Sequence, residues 1–281
     1  MDEPVVIPLI DAVAKLRPDS SRTRLRELLS RGQVRVNGSV VKIGRLPIAP
    51  DDRVEIGPVV APPPVRAPLP IVYEDEDLLV IDKPAGVLTS TVPSERRPTA
   101  LAMIRHYVHD TRPKARVGLI HRLDRDASGL LVFSLNETAY DSLKAQFYDH
   151  SAGRIYAAVV DGAIDPPAGT IKSRLVEYID GTVHLTKQPT KGDEAITHYQ
   201  TMKSHAGRSL VRVSLETGRK HQIRAHFAEL GFPIVGDDTY HGSLESRLML
   251  AGIELHVTHP TSGDRLKLQV DLPAPLAKLM R

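Results

Sequence analysis

The spacing of leucines near the start of the chain predicts an amphipathic helix from about Arg22 to Arg31. Apolar residues three and four positions apart lie on one face of a helix, which can then pack on a core. Ser20-Ser21 can cap the first turn, and Gly32 suits the position that ends a helix. The apolar stripe of this predicted helix consists of Leu25, Leu28 and Leu29.

Directly after this helix, apolar and polar residues alternate and predict a β-hairpin. The segments Gln33–Val36 and Ser39–Val41 face each other across Asn37-Gly38, and Asn-Gly between alternating residues is the strongest short hairpin signal. A further strand is predicted at Arg53–Ile56. Residues 1–57 are therefore expected to form a small α+β domain.

A proline-rich segment, residues 58–70, contains six prolines and separates this region from the rest of the chain. Proline restricts the backbone and favours an extended polyproline conformation, so the segment is predicted to be a semi-rigid spacer. A proline-rich ligand for a signalling domain is the alternative interpretation. The position between two predicted folded regions favours the spacer.

The pattern in residues 71–281 predicts one α+β domain rich in strands, although periodicity alone indicates no more than that class. A continuous apolar run after Ser128-Gly129 is typical of a buried strand, and Ala206-Gly207 of a hairpin turn. Further strands are predicted at Ile71–Glu74, Leu78–Ile81, Arg154–Val160, Ala195–Lys203, Ser209–Leu215, Leu248–Val257 and Leu266–Val270, and helices at Thr99–His109, Glu137–Tyr148 and Lys220–Leu230.

Composition excludes several classes of protein. The 281 residues are 41% hydrophobic, which is enough for a sizeable core. There is no cysteine, so disulfides, thiolate metal sites and cysteine nucleophiles are excluded. No apolar run is long enough to span a bilayer and the N-terminus lacks a signal-peptide pattern, so we expect a cytoplasmic protein without a membrane partner.

Positive charge is concentrated near the start of the chain. Nine basic and two acidic residues lie between Lys15 and Arg45, whereas the whole chain carries only +3. A basic patch of this kind is typical of nucleic-acid binding, although an ordinary basic surface on a small domain is the alternative. The candidate RNA contacts in this region are Arg22, Arg24, Arg26 and Arg35.

One segment carries the strongest indication of chemistry. His121-Arg122-Leu123-Asp124-Arg125 places a carboxylate between two arginines, just before the predicted buried strand. A carboxylate on a loop at the mouth of a strand is positioned to act on a ligand, and the arginines suit a polyanion. From this segment alone, a surface loop whose charges pair with each other is an equally good interpretation.

This segment and four others, in order, resemble the motifs of the RluA-type pseudouridine synthases. The resemblance covers about Ile71 to Pro273 and implies the fold of that family, a long mixed, mostly antiparallel sheet with a central cleft. Residues 21–38 resemble the alpha-L RNA-binding module, which is named after a small-subunit ribosomal protein, although Leu9–Val13 fits it less well. The five motif segments are Asp82–Gly86, His121–Leu130, Arg154–Val159, Thr217–Arg224 and Gly231–Asp237.

The resemblance implies that the protein converts uridine in RNA to pseudouridine with Asp124 as the essential carboxylate. The base detaches from ribose at a ring nitrogen and rejoins through carbon 5, so no redox cofactor, ATP or metal is required. Asp124 could attack the sugar, stabilise its positive charge or remove a proton, and the sequence leaves these roles open. By resemblance, Arg224 pairs with Asp124 in a fork, Tyr156 stacks on the target base and Leu250 lines the base pocket.

RNA contacts are expected around this site, because the target nucleotide must leave its stack before it can react. The resemblance assigns Arg122 to the space that the nucleotide vacates. Further candidates for phosphate contact are Lys83, Arg125, Arg219 and Lys220. Taken singly, each of these cations is more commonly a solvated surface charge.

Departures from the family pattern bear on target choice more than on the reaction. Ala127 stands where a hydroxyl residue is usual, Phe232 precedes Pro233, Ala251-Gly252 follows Leu250, and the common histidine after Gly86 is absent. Twelve histidines suggest a metal site, but none has metal-ligand spacing, so no metal is expected.

We therefore expect an RNA pseudouridine synthase that acts without a cofactor, as a monomer, on RNA and not DNA. Large-subunit ribosomal RNA is the expected target, with transfer RNA as the alternative. A non-catalytic ribosome-assembly protein on the same fold and a nucleoside hydrolase using Asp124 are the competing functions.

Overall fold

The computed structural model describes residues 6–57, 68–91, 98–178 and 181–281. The chain divides into two compact units, residues 1–65 and 66–281. Most of the predicted linker, residues 58–67, lies outside the described residues. Leu69, near its end, is buried in the core of the second unit.

The first unit is built on the helix and hairpin that the sequence predicts. Helix α2 begins after Ser21, whose hydroxyl accepts the Arg24 N–H, and Asn37 and Gly38 both adopt positive φ in the hairpin turn. The core contains Leu9, Leu25 and Leu29. Its elements are β1 (Ile7–Pro8), α1 (Leu9–Leu16), α2 (Arg22–Ser30), β2 (Val34–Val36), β3 (Ser39–Val40), β4 (Pro47–Ile48) and β5 (Val54–Ile56).

The second unit is organised around a sheet of eleven strands among the described residues. Its strands are β6 (Ile71–Glu74), β7 (Leu78–Lys83), β8 (Gly118–Leu119), β9 (Ser128–Ser134), β10 (Gly153–Asp161), β11 (Ala168–Glu177), β12 (Val183–Thr186), β13 (Asp193–His205), β14 (Arg208–Leu215), β15 (Leu250–Thr258) and β16 (Arg265–Gln269). The helices are α3 (Ala100–Thr111), α4 (Glu137–Tyr148), α5 (Gln222–Glu229) and α6 (Ala274–Lys278).

The strand order runs β12-β11-β13-β14-β10-β15-β9-β7-β6, with β16 beside β15 and β8 beside β9. Within the described residues, β9 and β15 form the one parallel pair of this sheet. The α+β class and the long, mostly antiparallel sheet are therefore confirmed.

Both faces of the sheet are covered near β7 and β9, which is why these strands consist of nearly continuous apolar residues. Leu79, Ile81, Leu131 and Phe133 point into one core, which also contains residues of α3 and α5. Their neighbours in each strand point to the opposite core, against Leu143 of α4. The alternation follows from the two-residue period of a strand.

The parallel contact between β9 and β15 depends on Gly129. Its φ is +117°, and a Cβ at this position would lie 2.1 Å from the carbonyl oxygen of Gly252. Only glycine allows the two backbones to approach this closely. The contact fixes the loop that precedes β9, which contains Asp124, beside the start of β15.

Two predictions from periodicity are incomplete. The helix predicted to begin at Lys220 begins at Gln222, because His221 adopts a left-handed conformation with φ of 52°. Strands β11 and β12 were not predicted; both lie mostly at the surface, with one buried residue each, Leu175 and Val183. Among the described residues, no helix is long and apolar enough to cross a membrane.

Candidate active site

A cleft of about 850 Å³ opens in the second unit, between the loop before β9, strand β10 and the start of α5. It brings together seven residues that the sequence analysis selects from separate motifs. They are Arg122, Asp124, Tyr156, Arg219, Lys220, Arg224 and Leu250. Lys83 and Arg125 do not belong to its lining.

The carboxylate of Asp124 lies beside the guanidinium of Arg224, with 3.4 Å between Oδ2 and Nη1. The fork predicted between these two residues is not formed. Arg224 instead forms its fork with Asp237, through Nε to Oδ2 at 2.7 Å and Nη2 to Oδ1 at 2.8 Å. Arg224 therefore joins two carboxylates, one fully buried and one, Asp124, with a side chain that is 20% exposed.

Asp237 holds Arg224 firmly in its charged form. Burial opposes that charge, but the hydrogen bonds and the charge of Asp237 outweigh it, and the pKa of Arg224 is raised above its ordinary value. Asp237 also accepts the backbone N–H groups of Thr239 and Tyr240. Asp237 ends the Gly231–Asp237 motif but is not among the site residues predicted from the sequence.

Tyr240 supports the other side of the guanidinium, whose carbon lies 5.1 Å from the centre of the ring. The phenol oxygen is fixed by both backbone groups of Val183, at 3.0 Å each. His221 places Nδ1 3.1 Å from the same oxygen. Strand β12 and the residue before α5 therefore both limit the movement of Arg224.

The loop that contains Asp124 is clamped on both sides of this residue. Thr89 donates its hydroxyl to the Leu123 carbonyl at 2.8 Å and accepts the Leu123 N–H at 3.1 Å. Beyond Asp124, the carbonyl of Arg125 accepts hydrogen bonds from Lys83 Nζ and the Gly86 N–H. The segment 83–89 is therefore the support on which the carboxylate is positioned.

The structure gives Lys83 a different role from the phosphate contact predicted for it. The residue is fully buried, and Nζ donates to the carbonyls of Pro84, Val87 and Arg125 at 2.8–3.1 Å. All three of its donors are used, so none remains for a phosphate. Burial lowers the pKa of Lys83 to about 8, although Asp126 and Asp124 oppose the shift.

Tyr156 lies on β10, opposite Gly252 of β15, and is only 8% exposed. Burial raises the pKa of its phenol above the ordinary value. The nearby charges have opposite effects, since Arg154 lowers this pKa and Asp124 raises it. The phenol therefore keeps its proton at neutral pH and can act as a hydrogen-bond donor in the cleft.

The lining of the cleft is strongly positive. Asp124 is the one acid among the lining residues that the structure describes, against six cations. The cations are Arg122, Lys144, Arg154, Arg219, Lys220 and Arg224. Lys220 is partly neutralised by Glu177 at 2.6 Å, and Arg219 donates Nε to the Glu194 carbonyl. Such a lining attracts a polyanion and leaves one carboxylate available for chemistry.

The first unit has a basic groove of its own, about 560 Å³ in volume. Arg22 and Arg26 lie four residues apart on α2 and therefore share the face that lines it. Lys42 and Arg45, which were not selected as contacts, line it as well. Arg24 is exposed outside this groove, and Arg35 lies on β2.

The family profile described as RNA pseudouridylate synthase matches residues 77–229, and the profile described as S4 domain matches residues 7–54. The chain belongs to the RNA pseudouridine synthase family and carries an N-terminal S4 domain. It is accordingly an RNA pseudouridine synthase, which is an isomerase.

Two relatives match along nearly their whole length. The chain is 33% identical to "Uncharacterized RNA pseudouridine synthase YlyB" of Bacillus subtilis, over 95% of this chain and 91% of that protein. It is 32% identical to "Ribosomal large subunit pseudouridine synthase D" of Pseudomonas aeruginosa, over 92% and 87%.

A solved structure shows the same fold. It is "Human RNA Pseudouridylate Synthase Domain Containing 4", with a TM-score of 0.63 and 21% identity. The match covers 74% of this chain and 90% of that chain. The two chains therefore share a fold over that part of their lengths.

We expect Asp237→Asn to destabilise the protein by about 3–5 kcal/mol, because it leaves Arg224 buried without its main counter-ion. Urea unfolding measures the change. Asp238→Asn is the matched control, since Asp238 is an exposed neighbour of the same charge. Equal stability of the two variants would show that the buried fork contributes nothing.

The lowered pKa of Lys83 predicts a pH dependence of stability. The pKa is about 8 in the fold and roughly 10.4 in an unfolded chain. Between these values the unfolded chain keeps a proton that the fold has released, so the free energy of unfolding should rise with pH.

Urea unfolding of the unsubstituted protein and of Lys83→Met tests this dependence. Their difference in unfolding free energy should increase by up to about 1.4 kcal/mol per pH unit in that range. The corresponding difference for Lys267→Met, at an exposed lysine of β16, should stay flat. A flat or falling difference for Lys83→Met would contradict the prediction.

Proposed function

We propose that this pseudouridine synthase modifies one or more uridines of large-subunit ribosomal RNA, with Asp124 as its essential carboxylate. The observation that carries the chemistry is the chain of contacts Asp124–Arg224–Asp237, beside a cleft in which Asp124 is the one acid among the described lining residues and six are cations. The name of the Pseudomonas aeruginosa relative supports the ribosomal target.

Asp124 must act as an anion inside a site that encloses a base. Burial alone would favour the neutral acid, and a fixed guanidinium favours the anion. Arg224 supplies that guanidinium with an orientation set by Asp237, so it needs no rearrangement when the substrate binds. Asp124 itself lines the cleft, where attack on the sugar, charge stabilisation and proton removal are all open to it.

Tyr156 and Leu250 would enclose the target uracil. Both residues line the cleft close to the carboxylate, from the adjacent strands β10 and β15. The Tyr156 ring offers a stacking surface, and its protonated phenol can donate a hydrogen bond to the base. In the rearrangement, the bond from ribose to the uracil nitrogen breaks, the base turns, carbon 5 bonds to ribose, and the carbon 5 proton leaves as the nitrogen gains one.

Arg122 would occupy the space that the target nucleotide leaves. It is exposed at the cleft, only two residues before Asp124. A planar guanidinium can stack on bases and bind phosphate, which offsets the cost of about a few kcal/mol for moving a base out of its stack. Arg219 and Lys220, which also line the cleft, would add phosphate contacts.

We further propose that the enzyme works in the cytoplasm as a monomer and that the S4 domain anchors it on structured RNA. The basic groove with Arg22 and Arg26 suits the phosphate backbone. A large structured RNA offers such an anchor at a distance from the modified nucleotide. Arg24 and Arg35 remain candidates for contacts outside this groove.

The substrate is tested on bulk ribosomal RNA from a strain that lacks the gene. We expect new pseudouridine in large-subunit RNA after incubation, mapped as carbodiimide-dependent primer stops. Modification found only in transfer RNA would overturn the ribosomal assignment. Release of free uracil would indicate a nucleoside hydrolase, and an absence of any product would indicate a non-catalytic RNA-binding protein.

Asp124→Asn should abolish pseudouridine formation while the fold and RNA affinity remain, because it removes the charge and keeps the shape. Circular dichroism and RNA filter binding check the fold and the affinity. Asp126→Asn is the matched control, since this exposed carboxylate lies two residues away and does not line the cleft. Turnover by Asp124→Asn near the unsubstituted rate would remove Asp124 from its assigned role.

Arg26→Gln should weaken binding to large ribosomal RNA and lower the slope of log affinity against log salt by about one. Phosphate contacts release counter-ions, so each lost contact reduces the slope. Arg53→Gln, at an exposed arginine outside the groove, serves as the control and should retain the full slope. Unchanged affinity and slope for Arg26→Gln would show that the groove does not anchor RNA.

A further inference from the structure

The cleft extends from Asp124 to the C-terminal end of α4, where an exposed tyrosine lies in its wall. Tyr148 is 83% exposed and lines the cleft together with Lys144. The two residues are four positions apart and therefore share one face of the helix. Helix α4 ends here because His150 adopts φ of 58°, and β10 begins at once with Gly153.

Because only four residues separate α4 from β10, Arg154 lines the cleft near Tyr148. Arg154 is only 8% exposed, and its Nε has no hydrogen-bond partner. No carboxylate among the described residues is paired with it. Nη2 donates to the Glu216 carbonyl at 2.9 Å. The guanidinium lies 5.5 Å from the centre of the Phe147 ring, which stacks on His121 at 4.7 Å.

A buried cation without a counter-ion is costly, and an anionic ligand that reaches it relieves part of that cost. Burial lowers the pKa of Arg154, as expected for a guanidinium that lacks an acidic partner. Two of the last carbonyls of α4 are already occupied, since that of Ala145 accepts the Asp149 N–H and that of Gln146 accepts the N–H groups of Ser151 and Ala152. The wall thus combines an uncompensated cation with an exposed ring.

We propose that this end of the cleft is a second nucleotide subsite, which binds the RNA nucleotide next to the target uridine. The base of that nucleotide stacks on Tyr148, and its phosphate contacts Lys144 and Arg154. The proposal rests on the proposed function, since it assumes that the target uridine occupies the Asp124 end.

The chemistry of the wall matches single-stranded RNA. Base stacking on an aromatic ring beside cations that follow the backbone is how proteins bind unpaired nucleotides. Sequence-specific recognition of RNA mostly targets single-stranded loops, bulges and ends, in which the base next to the target is unpaired. The volume of about 850 Å³ is near the upper end of small-ligand pockets and accommodates more than the target nucleotide alone.

Binding of fluorescein-labelled hexauridylate to the full-length protein, followed by fluorescence anisotropy, tests the subsite directly. Tyr148→Ala should weaken binding by about 5- to 100-fold, the effect of losing one base–aromatic stack. Tyr148→Phe keeps the ring and should bind as the unsubstituted protein does. Lys144→Gln should lower the salt slope by about one.

Tyr178→Ala is the matched control, because Tyr178 is an exposed tyrosine of the same unit that does not line the cleft. It should leave the affinity unchanged. Hexauridylate binding by Tyr148→Ala equal to that of the unsubstituted protein, or an equal loss in Tyr178→Ala, would overturn the subsite.

Turnover on large-subunit ribosomal RNA separates this proposal from the function on which it rests. Tyr148→Ala should raise KM and leave kcat nearly unchanged, because the residue holds the neighbouring nucleotide and not the reacting one. An unsubstituted protein that makes no pseudouridine would overturn the proposed function, whereas the hexauridylate result would still decide the subsite. An unchanged KM in an active Tyr148→Ala variant would overturn the subsite alone.

Discussion

The buried ion pair between Arg224 and Asp237 is the interaction on which the candidate site depends. The guanidinium of Arg224 stabilises the charge of Asp124 only while it is oriented towards that carboxylate. The two hydrogen bonds to Asp237 prevent the Arg224 side chain from rotating away. The pair is costly to bury, and its cost is offset by the backbone N–H groups that Asp237 accepts and by the ring of Tyr240. What the protein gains is a fixed positive charge whose unused edge faces Asp124.

The loop that contains Asp124 is likewise held in a fixed position. The side chains of Lys83, at the end of β7, and of Thr89, shortly after it, form hydrogen bonds with the backbone of this loop. The close contact of Gly129 with Gly252 joins this loop to β15. Asp124 and Arg224 are 100 positions apart in the sequence. They meet because the fold holds the loop before β9 and helix α5 next to each other.

Sequence reasoning reached the features that depend on local pattern. The Asn37-Gly38 hairpin, helix α4 and the buried strand β9 follow from turn chemistry and periodicity, and the structure contains all three. It could not find the fork between Arg224 and Asp237, because that pair depends on how α5 packs against a loop further along the chain. Lys83 was misassigned since a lysine in a sequence is normally solvated, and only the fold shows three carbonyls converging on it.

The electrostatics of the cleft combine two requirements that oppose each other. RNA binding needs many cations, yet further cations paired with Asp124 would occupy the carboxylate oxygens that the chemistry uses. The structure separates these tasks in space. Arg224 is held between Asp237 and Asp124, and Lys220 is paired with Glu177, so neither is fully available to phosphate. Arg122 lies at the exposed edge, and Arg154 and Lys144 line the α4 end. A polyanion can therefore be held along the cleft while Asp124 keeps Arg224 as its own fixed partner.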